Sequence, residues 1–373
     1  MLEKTAEMEN KEYLSKQILT YLGNKRALLG FIEQGLKRVK DELGRDKLRC
    51  VDLFSGSGIV ARFLKRHSSF LVANDLELYS KITNECYLAN VSARKLKELG
   101  RWHEILLENI KSNPQSGFVS ELYAPKDQDH IRREDRVFYT KENALYIDTA
   151  RAQIENLPEA IRHFFIAPLL YEASTKANTS GVFKGFYKNK SGIGQFGGEG
   201  KNALGRIMGR ISLPMPIFSK FNVPFAVCQK DANDLAGELE QMDVVYLDPP
   251  YNQHPYSSNY FMLNLIAKNE RPRSISRVSG IAKGWNKSVY NKKSAAEQSF
   301  FELVGKLKAK FIIISFNSEG FIERESFERN LTKFGELKVL EQRYNAFRGS
   351  RNLGSRSLHV TEFLYILKKI GSK

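Results

Sequence analysis

Residues 243–252 read DVVYLDPPYN, and this stretch limits the fold more than any other. Asp243 to Leu247 has the short apolar run of a buried strand. Pro249 and Pro250 must end it, because neither has an N–H to give a sheet ladder. A rigid, extended turn then presents Asp248 and Tyr251 at the carboxyl end of the strand. In open α/β sheets, ligands bind at that edge. A carboxylate, main-chain carbonyls without neighbouring donors and one aromatic face suit gripping a planar amine. The plainer reading is a turn that only ends a strand. The stretches upstream decide between the two.

Leu48 to Phe54 reads as the first strand of a βαβ unit, followed by Ser55-Gly-Ser-Gly58 and the helical IVARFLKRH. Gly56 and Gly58 let the backbone pass close to a ligand without Cβ clashes. Phe70 to Asn74 is a second strand. Asp75, at its end, is placed to accept bonds from ribose hydroxyls. Asp52 and Phe54 flank the turn. Any adenosine-containing cofactor would satisfy this pattern, a nicotinamide dinucleotide included. Further upstream, Leu28, Leu29, Ile32, Leu36 and Val39 recur at helical spacing, which predicts a helix beginning near Lys25. Preceded by Gly23 and Asn24, that start would attract a carboxylate through its N–H groups, its dipole and the Lys25 ammonium. Tyr21 offers a stacking face. A plain helix start with solvated Lys25 and Arg26 reads equally well. Residues 1–15 read as a short charged leader.

The net charge of +16 with a pI near 9.5 points to a polyanionic partner, most simply nucleic acid. No run of 18 apolar residues and no lipidation signal supports a membrane, and the N-terminus lacks the apolar segment of a signal peptide. Cys50, Cys86 and Cys228 stand apart without C-x-x-C spacing. They suggest a reducing, cytoplasmic setting and argue against a zinc site.

Leu76 to about Leu99 reads as one helix, running on less clearly to Ile110. From there to about Lys220 the pattern is irregular, with one helical piece at Asp148 to Tyr171. Between Lys176 and Lys230 stand nine Lys or Arg and one acid, Glu199. A connection this long is more than a link between strands, so residues 111–221 read as an inserted, DNA-facing region within a catalytic domain of 12–110 and 222–373. GVFKGFYKNK interleaves Lys184, Lys188 and Lys190 with Phe183, Phe186 and Tyr187, which suits phosphate contacts beside base contacts. Residues 271–293 carry seven bases, Arg271, Arg273 and Lys283 among them, and no acid. They read as a second DNA-contacting loop. Arg348 and Arg351 lie in an equally basic connection between two closing antiparallel strands, Leu337 to Tyr344 and His359 to Lys368. Asp231, after a short strand at Pro224 to Gln229, either caps the next helix or contacts a cofactor's adenine.

Four pieces, TYLGNK (20–25), DLFSGSG (52–58), Asp75 and DPPY (248–251), stand in an order that resembles the D12 class of N6-adenine DNA methyltransferases, the Dam-like α group. The resemblance covers 12–110 and 222–373. It implies a Rossmann-like class I methyltransferase sheet, mostly parallel with an antiparallel strand at the C-terminal end, carrying an inserted target-recognition region. It implies S-adenosyl-L-methionine as cofactor, bound by Tyr21, Lys25, Asp75 and Asp248 around a turn of Phe54, Gly56 and Gly58. The substrate would be adenine flipped out of double-stranded DNA, within a restriction-modification pair whose endonuclease reads the same site. Asp248 and the Pro249 carbonyl would accept the two N6 hydrogens, with Pro250 stiffening the turn and Tyr251 stabilising the growing positive charge. No metal is required. Cytosine N4 methylation uses similar chemistry, usually with Ser in place of Asp248, and a nicotinamide enzyme would have no use for the DPPY turn.

Overall fold

The computed structural model describes residues 8–345 and 359–371 of the 373-residue chain. A 3₁₀ turn at Lys25–Leu28 runs into helix α1 (Leu29–Leu43), which ends at Gly44 with φ of 61°. Strand β1 (Leu48–Asp52), helix α2 (Ile59–Lys65) and strand β2 (Ser68–Asn74) form the βαβ unit. Helices α3 (Leu78–Tyr87), α4 (Ala93–Ser112), α5 (Phe118–Leu122), α6 (Lys141–Glu155), α7 (Glu159–Lys176) and α8 (Leu204–Met208) follow. The chain returns through β3 (Phe225–Cys228), α9 (Ala232–Glu238) and β4 (Met242–Leu247). It closes with α10 (Tyr256–Asn259), α11 (Phe261–Lys268), α12 (Lys293–Lys306), β5 (Ala309–Asn317), α13 (Arg324–Leu331), β6 (Gly335–Asn345) and β7 (His359–Lys369).

The seven strands make one sheet in the order β3-β2-β1-β4-β5-β7-β6. Its first five members are parallel, and β7 runs antiparallel to both of its neighbours, β5 and the edge strand β6. This is the mixed α/β sheet that the motif order implied. Successive residues face opposite sides. Cys50, Val244 and Ile313 pack under α1 and α2, whereas Val51, Val245 and Ile312 pack against α9, α12 and α13. Each such fully buried aliphatic contributes about 1.5–3 kcal/mol. From β1 the chain runs outward to β2 and β3 on one side, and β4 and β5 lie on the other. The strand order therefore reverses between β1 and β4, where an open sheet leaves a crevice at its carboxyl edge. Asp52 pairs in register with Tyr246, so the glycine turn and the DPPY turn emerge side by side, although 190 residues separate them.

Three local expectations need correction. The long helix expected from Leu76 is two, α3 and α4, broken at residues 88–92. Both polar ends of the Asn90 amide bond the backbone of Val223, just ahead of β3, and Ser92 caps α4 through the N–H of Lys95. Such side-chain bonds give the backbone an alternative to continuing a helix. The piece expected at Asp148 to Tyr171 is also two helices, parted before Pro158, because the residue before proline is pushed out of the helical region. Finally, residues 8–15 of the expected leader, the part within the described residues, are anchored. Tyr13 is fully buried, donates through its hydroxyl to the Tyr87 carbonyl at 2.7 Å, and lies 4.6 Å from the Arg62 guanidinium. In the 111–221 stretch, α6 and α7 share one apolar cluster with Tyr79 of α3 and Phe261 to Ala267 of α11. Among the described residues no helix is long and apolar enough to cross a membrane.

Candidate active site

At the end of β1 the chain turns through Gly56 (φ 51°) and Gly58 (φ 76°). The Gly56 N–H donates to the Asp75 carboxylate at 2.7 Å, and the N–H of Glu77 donates to its other oxygen at 2.9 Å. Burial pushes the Asp75 carboxyl up, and these N–H groups partly oppose it. A Cβ on Gly56 would stand 2.9 Å from the Tyr21 ring. The glycine is therefore required by close approach as well as by its left-handed φ. Gly58 answers to a different neighbour. A Cβ there would meet the Asn84 side chain of α3 at 2.9 Å, so this glycine serves packing at the start of α2.

The two turns border a cavity open to solvent, about 870 Å³ with the solvent space at its mouth included. Of the residues expected to hold cofactor, Tyr21, Lys25, Phe54, Gly56, Asp75, Asp231 and Asp248 line it. Gly58 and Asp52 are not on its wall. Asp52 is buried beneath the glycine turn, where its carboxylate makes no hydrogen bond of good geometry and the main-chain N–H groups of Phe54 and Ala61 approach it. Burial first, then the nearby Asp248 and Asp75, push its pKa well above the usual carboxylate range. Of the two readings of Asp231, the structure shows the helix cap. It caps α9 by accepting the Asn233 N–H at 2.8 Å, and it stands on the cavity wall.

Lys25 departs most from expectation. It is 3% exposed, and its Nζ lies 3.2 Å from Asp248 Oδ1 and 3.1 Å from Glu362 Oε1. An ammonium has three protons to give, and here protein carboxylates take two. The helix start is likewise partly occupied, because Asn24 accepts the Arg26 N–H at 2.8 Å. Burial alone would discharge Lys25. The Asp248 and Glu362 charges outweigh it and hold the pKa above the usual value. Asp248 is pushed up to about 6 by burial, against the pull of Lys25 and with the push of Glu362. Its Oδ1 is buried, yet its side chain is 18% exposed, so the exposure belongs to the rest of the side chain.

Pro249 is buried and Pro250 lines the cavity. Tyr251 stands off the cavity wall. Its ring meets Phe316 edge-on at 5.7 Å, and its carbonyl accepts the Phe321 N–H. Tyr21 stacks on Tyr260 at 4.5 Å and Tyr256 at 5.0 Å. Tyr256, Tyr260 and Glu362 were not foreseen. The two tyrosines stand four apart after DPPY, the spacing of one helix face. Glu362 had a signal in plain sight, a lone acid in the apolar run FLYIL that begins right after it.

On the insert, Lys184 Nζ lies 2.9 Å from His254 Nδ1, which joins this basic loop to the segment following the DPPY turn. Lys188 lies over the Phe186 ring at 5.0 Å. Tyr187 is half-buried and donates its main-chain N–H to Asn178. Arg271 is exposed and ion-paired with Glu121. With Arg273 and Lys283 it surrounds a second, open cavity beside the exposed Trp285, and this cavity shares Ser257 and Asn286 with the first. Arg348 and Arg351 lie outside the described residues. Among the described residues no group of three His, Cys, Asp or Glu could hold a metal ion.

A doubly wound sheet with a glycine turn and an Asp-Pro-Pro-Tyr turn at its switch point is the frame of an amino-methylating enzyme. Residues 21–329 match the family model of the D12 class N6 adenine-specific DNA methyltransferases, and the chain belongs to that family. It is 30% identical to the type II methyltransferase M.NlaIII of Neisseria lactamica, over 94% of this chain and 99% of that protein. It is 27% identical to the type II methyltransferase M.CviAII of Paramecium bursaria Chlorella virus 1, over 93% and 97%. It is 28% identical to modification methylase LlaI of Lactococcus lactis subsp. lactis, over 88% of this chain and 51% of that protein.

Proposed function

We propose that the protein methylates N6 of adenine in a specific double-stranded DNA sequence, with S-adenosyl-L-methionine as donor, as the modification half of a restriction-modification pair. The observation that carries the reading is the adjacency of the glycine turn and Asp248 on one cavity. The residues suit the donor. Gly56 keeps the turn open where any Cβ would close on Tyr21, and the Asp75 carboxylate stands beside it for a sugar's hydroxyls. When bound, the donor supplies an electrophilic methyl group on a sulfonium.

The chain's own groups do the rest. Adenine N6 is a weak nucleophile because its lone pair is delocalised into the ring. Asp248 accepts one N6 hydrogen through the oxygen Lys25 leaves free, and the Pro249 carbonyl accepts the other. Localising the lone pair in this way raises its reactivity. Positive charge then grows on the base and the Asp248 carboxylate stabilises it; the Tyr251 ring, set off the cavity wall, adds its π face where the bound base reaches past that wall. The base is reached by flipping it from the duplex. The reading invokes no metal. Residues 111–221 serve as the target-recognition region, with Lys184, Tyr187, Lys188, Arg271, Arg273 and Lys283 on the DNA. Three free cysteines accord with a cytoplasmic setting.

Incubation with tritiated S-adenosylmethionine and DNA, followed by digestion, identifies the labelled base. The reading requires N6-methyladenine; label in N4-methylcytosine or in RNA alone would replace it. Asp248→Ala should abolish methylation and leave DNA retention intact. Normal turnover in that variant would remove the role given to Asp248.

A further inference from the structure

Glu362 is the one acid on β7, a strand otherwise built for the core until it ends in Lys368 and Lys369. It lies on β7, pairs in register with Asn317 of β5, and is fully buried. A buried carboxylate costs several kcal/mol unless ionic and hydrogen-bonding partners compensate. Here Oε1 accepts from the Ser315 hydroxyl at 2.5 Å and from Lys25 at 3.1 Å. The second oxygen has no partner among the described residues. The carboxylate does not reach the cavity wall, so it touches neither donor nor base. Among the described residues its ion pair toward the cavity is with Lys25, which carries Asp248 at 3.2 Å on its other side.

We infer that Glu362 is a positioning residue of the methyl transfer: it holds the Lys25 ammonium against Asp248 Oδ1, and so fixes which oxygen of Asp248 is left for the substrate amine. This rests on the proposed function. Without Glu362, Lys25 is bound by one carboxylate alone and is free to chelate it. Asp248 then becomes a poorer and less well aimed acceptor. The charged and titratable groups facing Asp248 are few. Lys25 comes from the 3₁₀ turn, Glu362 from β7 and the buried Asp52 from β1. Tyr246, Tyr251, Tyr256 and Tyr344 are phenols that burial keeps protonated. Glu362 is thus the neighbouring anion that Lys25 links to Asp248, and its charge works against ionisation of Asp248. Removing that charge lowers the Asp248 pKa. The ionised acceptor then persists to lower pH, and the acid limb of the rate profile moves down.

The test measures single-turnover methylation from roughly pH 5 to 9, the span over which such a carboxyl titrates, for the parent, Glu362→Gln and Glu362→Asp. Affinity for S-adenosylmethionine is measured beside it by calorimetry. In Glu362→Gln the acid limb should fall by on the order of one pH unit and the plateau rate by roughly tenfold, the scale of a small misplacement. Affinity for the donor should stay within about twofold, under 0.5 kcal/mol. Glu362→Asp keeps the charge but withdraws it from Lys25, so its plateau should fall while the limb stays in place. A purely structural role would lower stability in both variants and move neither limb. An acid limb of Glu362→Gln lying on the parent's overturns the inference. Should that variant not fold, a parent-like plateau in Glu362→Asp overturns it equally. A parent that makes no N6-methyladenine instead defeats the functional reading, and this inference with it.

Discussion

Gly56→Ala puts the architecture of the cavity to a quantitative test. Alanine at φ 51° must adopt the left-handed conformation, at about 1–2 kcal/mol. Its Cβ would also stand 2.9 Å from Cε1 of Tyr21. That ring cannot retreat freely. It stacks on Tyr260 at 4.5 Å and Tyr256 at 5.0 Å, and its hydroxyl is 3.1 Å from that of Tyr79. Overpacking of this kind costs about 1–3 kcal/mol. The sum, about 2–5 kcal/mol, should lower the urea midpoint and leave the slope unchanged. Whatever part of the strain is relieved by moving Tyr21 also deforms the cavity wall. Donor affinity measured by calorimetry should therefore fall at least tenfold, the equivalent of about 1.4 kcal/mol. Gly30→Ala is the control. It lies in α1 with no atom within 4 Å of its added Cβ, and it should stabilise by about 0.5–1 kcal/mol. If Gly56→Ala unfolds at the parent's midpoint and binds donor with the parent's affinity, the close approach of turn and ring described above is wrong.

Three further outcomes are expected. Tyr251→Phe keeps the ring that meets Phe316 and should retain most activity, whereas Tyr251→Ala should lose roughly 10- to 100-fold in kcat, the value of one stacked base; equal losses in both would transfer the role to the hydroxyl. Replacing Lys184 and Lys188 together by Ala should reduce the salt dependence of DNA binding by about two in the log–log slope, one per phosphate contact; an unchanged slope would take the insert loop off the DNA. Tyr13→Ala should destabilise by about 3–5 kcal/mol, because the ring is fully buried against Arg62 and Tyr87; a parent-like unfolding midpoint would restore the view of this segment as a loose leader.

Much of the site was legible one segment at a time. Two prolines end β4 because they lack N–H groups, and two glycines bend the chain after β1 because they lack a Cβ. These are local consequences of covalent chemistry, and they stand in the sequence wherever the chain later goes. The basic loops were visible for the same reason, since charge is counted without knowing the fold. Asn90 and Pro158 each broke a helix that apolar periodicity extended. Periodicity senses one face of a helix and is blind to a side-chain amide bonding a backbone far along the chain.

Only the tertiary structure decided what those segments meet. The strand order set β1 beside β4 and brought the glycine turn to Asp248. It also carried Glu362, 337 residues beyond Lys25 in the sequence, to 3.1 Å from its ammonium. The sequence left Lys25 either solvated or holding a ligand's carboxylate, and the fold gave it two protein carboxylates. Ionic pairing inside a protein depends on burial and on distances of a few ångströms between remote residues. Neither quantity exists until the sheet has formed.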